Sequence, residues 1–176
     1  MNGATRDPAE RFTALYEASY GAIYAYAARR VGAAAADEIA AETFLVAWRR
    51  WAAVPAEPLP WLYGVARNVV ARHHAASGRR QLTESALANE RTPPSPAPLE
   101  SGDPALWEAW EQLRPDDREV LSLIAWEELS VADAARALGC SAPIFSVRLH
   151  RARKRLERLL AGPAAHSLPT TELSKA

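Results

Sequence analysis

The segment SVADAARALGCSAPIFSVRLHRARKRL, residues 130–156, decides the fold of the C-terminal half of the chain. Ser130 and Asp133 form a capping box, in which a hydroxyl and a carboxylate three residues apart satisfy free backbone amides at a helix start. Gly139 permits a sharp turn after the short helix, and Ser141 is placed to cap the next one. Two capped helices joined by a glycine turn predict a helix-turn-helix.

The second helix of this motif combines an apolar stripe with a basic remainder. Its apolar positions recur at steps of three and four, at Phe145, Leu149, Ala152, Leu156 and Leu159. Its basic residues are Arg148, Arg151, Arg153, Lys154, Arg155 and Arg158. A helix of this kind fits the major groove of DNA. A plain surface helix in an α-hairpin is the alternative that these residues leave open.

Three further helices are predicted in the N-terminal half. The first begins at Asp7-Pro8, a capping acceptor followed by a proline that is tolerated in the first turn, and it stops at Gly32. The second spans about residues 35–51, with Phe44, Ala47 and Trp48 among its inward positions. The third begins near Pro60-Trp61. Ala is abundant and β-branched residues are sparse, so the predicted fold class is all-α.

The chain is expected to form two small helical domains, a bundle of three to four helices and a helix-turn-helix domain. The run TPPSPAP at residues 92–98 opposes regular structure, because proline lacks an amide donor and biases its neighbour toward extended conformations. The predicted division is a first domain at residues 8–80, a Pro-rich acidic flexible linker at 81–103, a second domain at 104–160 and a disordered tail at 161–176.

The charges are balanced overall but divided along the chain. The 176 residues contain 21 Lys and Arg and 21 Asp and Glu. Residues 62–80 carry four arginines and no acid, residues 146–160 carry six basic residues against Glu157, and an acidic stretch lies between them. Two basic islands indicate contact with a polyanion at two places, whereas ordinary solvated helix faces are the alternative.

Several classes of protein are not expected. Cys140 is the only cysteine, so no intramolecular disulfide forms. No apolar run approaches the roughly 18 residues of a membrane span, and the N-terminus lacks a signal-peptide pattern, so we expect a cytoplasmic protein without membrane insertion. The histidines, His73, His74, His150 and His166, lack metal-ligand spacing. We therefore expect no metal, no cofactor, no catalytic residue and no enzyme activity.

Two blocks of the chain resemble extracytoplasmic-function sigma factors of the sigma-70 family. ADEIAAETFLVAWR at residues 36–49 and PWLYGVARN at residues 60–68 are similar to region 2 of that family. LRPDDREVL at residues 113–121, continuing to RLHRARKRL at residues 148–156, is similar to region 4. The resemblance implies a specificity subunit that binds core RNA polymerase and directs promoter recognition, DNA melting and transcription initiation.

The resemblance also implies roles for particular residues. Those that would dock on the clamp coiled coil of the largest polymerase subunit are Asp37, Glu38, Glu42 and Arg49. Those that would hold the melted minus-ten element are Trp61, Arg67, Asn68, Arg72, Arg79 and Arg80. Those that would contact the minus-thirty-five element are Ser141, Ser146, Arg148, His150, Arg151 and Lys154. For Trp61 a place in the core is the alternative to base stacking.

Further partners implied by the resemblance are the polymerase flap, promoter DNA and an anti-sigma factor. About 22 linker residues average roughly 25 Å as a random coil, whereas DNA sites two helical turns apart are about 70 Å apart. The two-site interpretation therefore needs the polymerase as a scaffold. A helix-turn-helix regulator that binds DNA alone, with its first domain used for dimerisation, stays open as an alternative, as does an adaptor that binds polymerase without starting transcription.

The chain departs from the family pattern at residues 143–147. Members commonly have a small polar run such as Gly-Thr-Val-Lys-Ser where this chain has Pro-Ile-Phe-Ser-Val. Two exposed positions become apolar and a lysine is absent. The hypothesis is that the helix keeps its phosphate contacts but reads an unusual sequence, with Ile144 and Val147 meeting thymine methyl groups, or that it contacts a protein instead.

Overall fold

The computed structural model describes residues 7–84 and 103–161, and the side chains of residues 7–78 and 103–161. Within these ranges the chain forms α-helices and one short 3₁₀ turn, with no strand, which confirms the all-α prediction. The helices are α1 (Pro8–Val31), α2 (Ala33–Arg49), α3 (Pro58–Glu84), α4 (Pro104–Glu111), α5 (Pro115–Ala125), α6 (Val131–Ala137) and α7 (Ala142–Ala161). The turn spans Trp51–Ala53.

Most of the predicted linker and of the predicted tail lies outside the described residues. At the edges of the linker, α3 continues to Glu84, beyond the predicted domain boundary at residue 80, and α4 begins at Pro104. The bundle of α1, α2 and α3 and the group of α4 to α7 are therefore the two parts of the molecule that the structure describes.

Local chemistry sets the ends of α1. The Asp7 side chain accepts a hydrogen bond from the Ala9 amide at 3.3 Å, and Pro8 occupies the first turn. At the other end, Gly32 has a φ of 81°, in the region that favours glycine, and its amide donates to the Ala28 carbonyl. The chain can thus reverse directly into α2.

The first three helices pack around a shared apolar core. Tyr26 and Ile23 of α1, Ile39 of α2 and Leu62 and Val69 of α3 are buried in it. Burial of such side chains is the main favourable contribution to folding.

The inward assignment of Trp48 was wrong. Its side chain is 47% exposed and packs edge-on against Phe12 at the surface, with ring centroids 5.0 Å apart. Ala47 and Phe44 take the buried positions of this turn of α2, and Trp48 lies at the edge of the buried stripe, beside Phe44.

The helix-turn-helix forms as predicted. The Ser130 hydroxyl accepts the Asp133 amide at 3.1 Å, so the N-cap half of the predicted capping box is present at the start of α6. The Asp133 carboxylate accepts the Ser130 hydroxyl at 2.6 Å and not the Ser130 amide, so the reciprocal half differs from the prediction. Gly139 has a φ of 64° in the turn, and α7 begins directly after Ser141. Phe145 is fully buried, which holds α7 against the rest of this half.

The two halves pack directly against each other. A single cluster of buried residues includes Tyr26, Leu62 and Val69 from the first half and Leu123 and Phe145 from the second. The described parts of both halves therefore share one hydrophobic core.

The contact between α3 and α6 is the tightest part of this packing. A Cβ atom at Gly64 would lie 2.9 Å from the Ala137 carbonyl oxygen, a separation that side-chain carbons do not tolerate. Glycine at this position lets the two helix backbones touch.

We expect Gly64→Ala to lower the thermal unfolding midpoint measured by circular dichroism. Helix propensity alone favours Ala over Gly by about 0.8–1.0 kcal/mol, so a loss of stability must come from the collision with the α6 backbone. Gly21→Ala in α1 is the matched control, because a Cβ there meets nothing within 4 Å. It should raise the midpoint by about 2–4 °C. An equal rise in both variants would show that the α3–α6 contact does not form in solution.

Candidate nucleic-acid interface

The rotation of α7 about its axis is set by its buried stripe. Phe145, Leu149 and Ala152 are buried, so the opposite face of the helix points to solvent. All the residues that the sequence analysis assigned to the minus-thirty-five contact are exposed, namely Ser141, Ser146, Arg148, His150, Arg151 and Lys154. The structure thus brings the whole predicted set onto one end and one open face of the motif.

The basic residues of α7 differ in how they are engaged. Arg155 is drawn inward and pairs with Asp117 at the start of α5, so it ties α7 to its own half. Lys154 pairs with Glu157 at 3.2 Å, an exposed contact that contributes little. Within the described ranges, Arg148 and Arg151 have no acidic side chain at salt-bridge distance. Their charges are available for phosphate groups.

The exposed side of α3 forms a second polar surface. Arg67 and Asn68 are exposed side by side. Trp61 is partly buried and packs against the hydrophobic core, so the core alternative describes most of its surface. Arg79 and Arg80 lie in α3, but their side chains are outside those described. The structure therefore places a guanidinium and an amide together, which suits an exposed nucleic-acid strand.

Arg72, which was predicted to contact DNA, pairs with Glu42, which was predicted to contact polymerase. Its guanidinium donates to the Glu42 carboxylate of α2 at 2.7 Å, and both side chains are largely exposed. The contact joins the predicted DNA surface of α3 to the predicted polymerase surface of α2. An exposed ion pair of this kind contributes at most about 1 kcal/mol, so either partner can exchange it for another charge.

The remaining polymerase-contact residues lie on the outer side of α2. Glu38 and Arg49 are exposed. Asp37 accepts a hydrogen bond from the Tyr20 hydroxyl, and that bond, with the nearby negative charge, raises the pKa of Tyr20 to about 12. The tyrosine holds the Asp37 carboxylate in one orientation at the surface.

A charged cluster between the two halves was not predicted. Glu127, which follows α5, pairs with Arg29 and also with Arg30, the latter at 3.2 Å. Arg30 and the Tyr26 hydroxyl both donate to Glu119 of α5, each at 2.8 Å. We call these five residues the junction cluster. Burial raises the pKa of Tyr26 well above its ordinary value.

The sequence pattern alone does not predict the junction cluster. Arg29 and Arg30 end α1, where basic residues commonly offset the helix dipole, so nothing in the local pattern separates them from ordinary surface cations. Glu127 follows an apolar helix, a position at which the sequence pattern predicts a solvent-exposed loop residue. Its side chain is in fact only 1% exposed, and pairing with arginines almost a hundred residues away in sequence offsets part of the cost of burying the carboxylate.

Comparisons with known proteins agree with the two-part architecture. Two protein-family models match the chain, Sigma-70 region 2 over residues 15–80 and Sigma-70, region 4 over residues 104–156. The ECF RNA polymerase sigma factor BldN of Streptomyces coelicolor is 34% identical over 165 residues, which cover 89% of this chain and 62% of BldN. The chain belongs to the extracytoplasmic-function sigma factors of the sigma-70 family.

Other members of this sigma-factor family match over most of their length. The ECF RNA polymerase sigma factor SigL of Mycobacterium tuberculosis is 27% identical, and the alignment covers 91% of this sigma factor and 94% of SigL. The chain spans less than two thirds of BldN, so the relatives differ in length.

Solved structures share the fold. RpoE, crystallised with the anti-sigma factor NepR from Bartonella quintana, is 25% identical with a TM-score of 0.65, over 88% of this chain and 99% of that one. CnrH, in complex with the cytosolic domain of CnrY, is 23% identical with a TM-score of 0.59, over 90% of each chain. No helix in the described parts of this sigma factor has the length and hydropathy of a membrane span.

We expect Ser130→Ala to destabilise the protein by about 1 kcal/mol, because it leaves the Asp133 amide at the start of α6 without its acceptor. The measurement is the midpoint of urea unfolding. Ser146→Ala is the control, since this exposed hydroxyl donates to a helix carbonyl that already accepts a backbone bond, and its effect should stay within about 0.5 kcal/mol.

The effect of Ser130→Ala should depend on pH. The hydrogen bond from Ser130, with Arg136, lowers the pKa of Asp133, so this carboxylate stabilises the fold above its unfolded pKa and loses that effect as the pH falls through its folded value. The stability difference between the wild type and Ser130→Ala should therefore narrow below about pH 3.9. A constant difference down to pH 2 would contradict the hydrogen bond from the Ser130 hydroxyl to the Asp133 carboxylate.

Proposed function

We propose that this sigma factor binds core RNA polymerase and directs promoter recognition, DNA melting and transcription initiation. The observation that carries the proposal is the helix-turn-helix, whose α7 presents Arg148 and Arg151 on an open face while α3 presents Arg67 and Asn68 on another. Two cationic surfaces on one chain suit a protein that contacts a promoter at two elements.

The proposed contact with polymerase uses α2. Glu38 and Arg49 are exposed there, and Asp37 and Glu42 are held by Tyr20 and Arg72. An exposed helix with both acidic and basic side chains can pair with the charges of another helix. The proposed partner is the clamp coiled coil of the largest polymerase subunit. The polymerase flap is the proposed partner of the α4 to α7 half. Charged contacts of this kind set specificity and the association rate more than affinity.

The proposed DNA contacts divide between the two halves. Arg67 and Asn68 of α3 would hold the melted strand at the minus-ten element, where amide and guanidinium groups meet bases and phosphates. Arg148, Arg151 and Lys154 of α7 would hold phosphates of the minus-thirty-five element, with the N-terminal turns of the helix in the major groove.

Three further proposals accompany this function. The crystallised complex of RpoE with the anti-sigma factor NepR supports an anti-sigma factor as a partner of this sigma factor. Partnership with polymerase and DNA implies that it acts in the cytoplasm without membrane insertion. The role is one of binding and positioning, so we propose that the chain is not an enzyme and needs no cofactor.

The decisive test is run-off transcription with purified core polymerase and a library of genomic promoters. We expect transcripts that depend on the added sigma factor. Glu38→Arg combined with Arg49→Glu should weaken core binding at least about tenfold, because like charges placed across a specific interface are strongly unfavourable.

Glu17→Arg is the matched control for this test, because Glu17 is exposed on α1 outside the proposed surface. It should leave core binding and transcription unchanged. Specific binding of promoter duplex by the chain alone, without dependence on core polymerase, would contradict the proposal and favour a regulator that binds DNA unaided.

A further inference from the structure

Two large aliphatic side chains stand on the open face of α7. Ile144 is 51% exposed and Val147 is 50% exposed, in the first two turns of the helix. Residues three apart in a helix are neighbours on its surface, so the pair forms one small apolar patch. Core packing does not require the patch, because Phe145 and Leu149 already fill the buried side of these turns.

The surroundings of the pair select DNA as its occupant. Arg148 and Arg151 flank the patch, and neither has an acidic neighbour at salt-bridge distance among the described residues. An apolar protein surface placed here would bury these guanidiniums without partners, which is unfavourable. A duplex satisfies both kinds of group, because its phosphates meet the guanidiniums while its base edges face the aliphatic side chains.

We propose that Ile144 and Val147 read the C5-methyl groups of thymines in the minus-thirty-five element. The N-terminal residues of a recognition helix face the base edges in the major groove, where thymine presents a methyl group. Guanine and cytosine present polar edges there, which aliphatic side chains would desolvate without a hydrogen bond in return. The proposal rests on the proposed sigma function and names the base chemistry that the helix prefers.

The test removes the methyl groups from the DNA and leaves the protein intact. A promoter is first selected with the holoenzyme, and each thymine of its minus-thirty-five element is then replaced in turn by deoxyuridine. We expect about a fourfold loss of holoenzyme binding at each of one or two positions, the effect of one buried methyl group. Ile144→Ser combined with Val147→Ser should bind the thymine and deoxyuridine promoters equally well.

Leu160→Ser is the matched protein control, because Leu160 is 45% exposed at the far end of the same helix. It should keep the full response to deoxyuridine. Equal binding of thymine and deoxyuridine promoters by the wild-type holoenzyme would overturn the proposal, as would a selected element without thymine. Transcription from the unmodified promoter separates the two ideas: if it proceeds while deoxyuridine has no effect, base reading by this pair fails and the sigma function stands.

Discussion

The burial of Glu127 against Arg29 and Arg30 is the interaction on which the arrangement of the two halves depends. A carboxylate that is 1% exposed must find positive charge and hydrogen-bond donors, and both come from the other half of the chain. Glu119 and Tyr26 extend the same cluster, and the Tyr26 ring lies beneath the Arg30 guanidinium at 3.4 Å. Once these charges meet, the position of α5 relative to α1 follows.

The remaining contacts between the halves are consistent with that position. Gly64 lets α3 approach the Ala137 carbonyl, and a joint apolar core runs between the halves. The surfaces assigned to polymerase and to DNA stay largely outside this contact, because the outer faces of α2 and α7 are exposed. The molecule thus buries its contact between halves and leaves its recognition faces open. The Glu42–Arg72 ion pair joins the exposed faces of α2 and α3. It is weak enough for either side chain to exchange it for another charged partner.

Much of the local structure was predictable from residue spacing. Three features depend on residues close in sequence and formed as predicted: the N-cap at Ser130, the turn at Gly139 and the buried stripe of α7. The inward prediction for Trp48 was wrong, because Trp48 lies at the edge of the buried stripe of α2, where residue spacing does not decide between burial and exposure. The Arg72–Glu42 pair and the junction cluster were missed because their partners lie far apart in the chain.

The amino-acid sequence by itself determined the helices, the order of the two helical parts and the exposure of the basic face of α7, because caps, turns and periodicity act within a few residues. It also carried the family resemblance. The tertiary structure alone decided which charges are buried between the halves and how closely α3 meets α6. Such choices depend on three-dimensional proximity, since a charge is worth burying only where a distant segment supplies its partner.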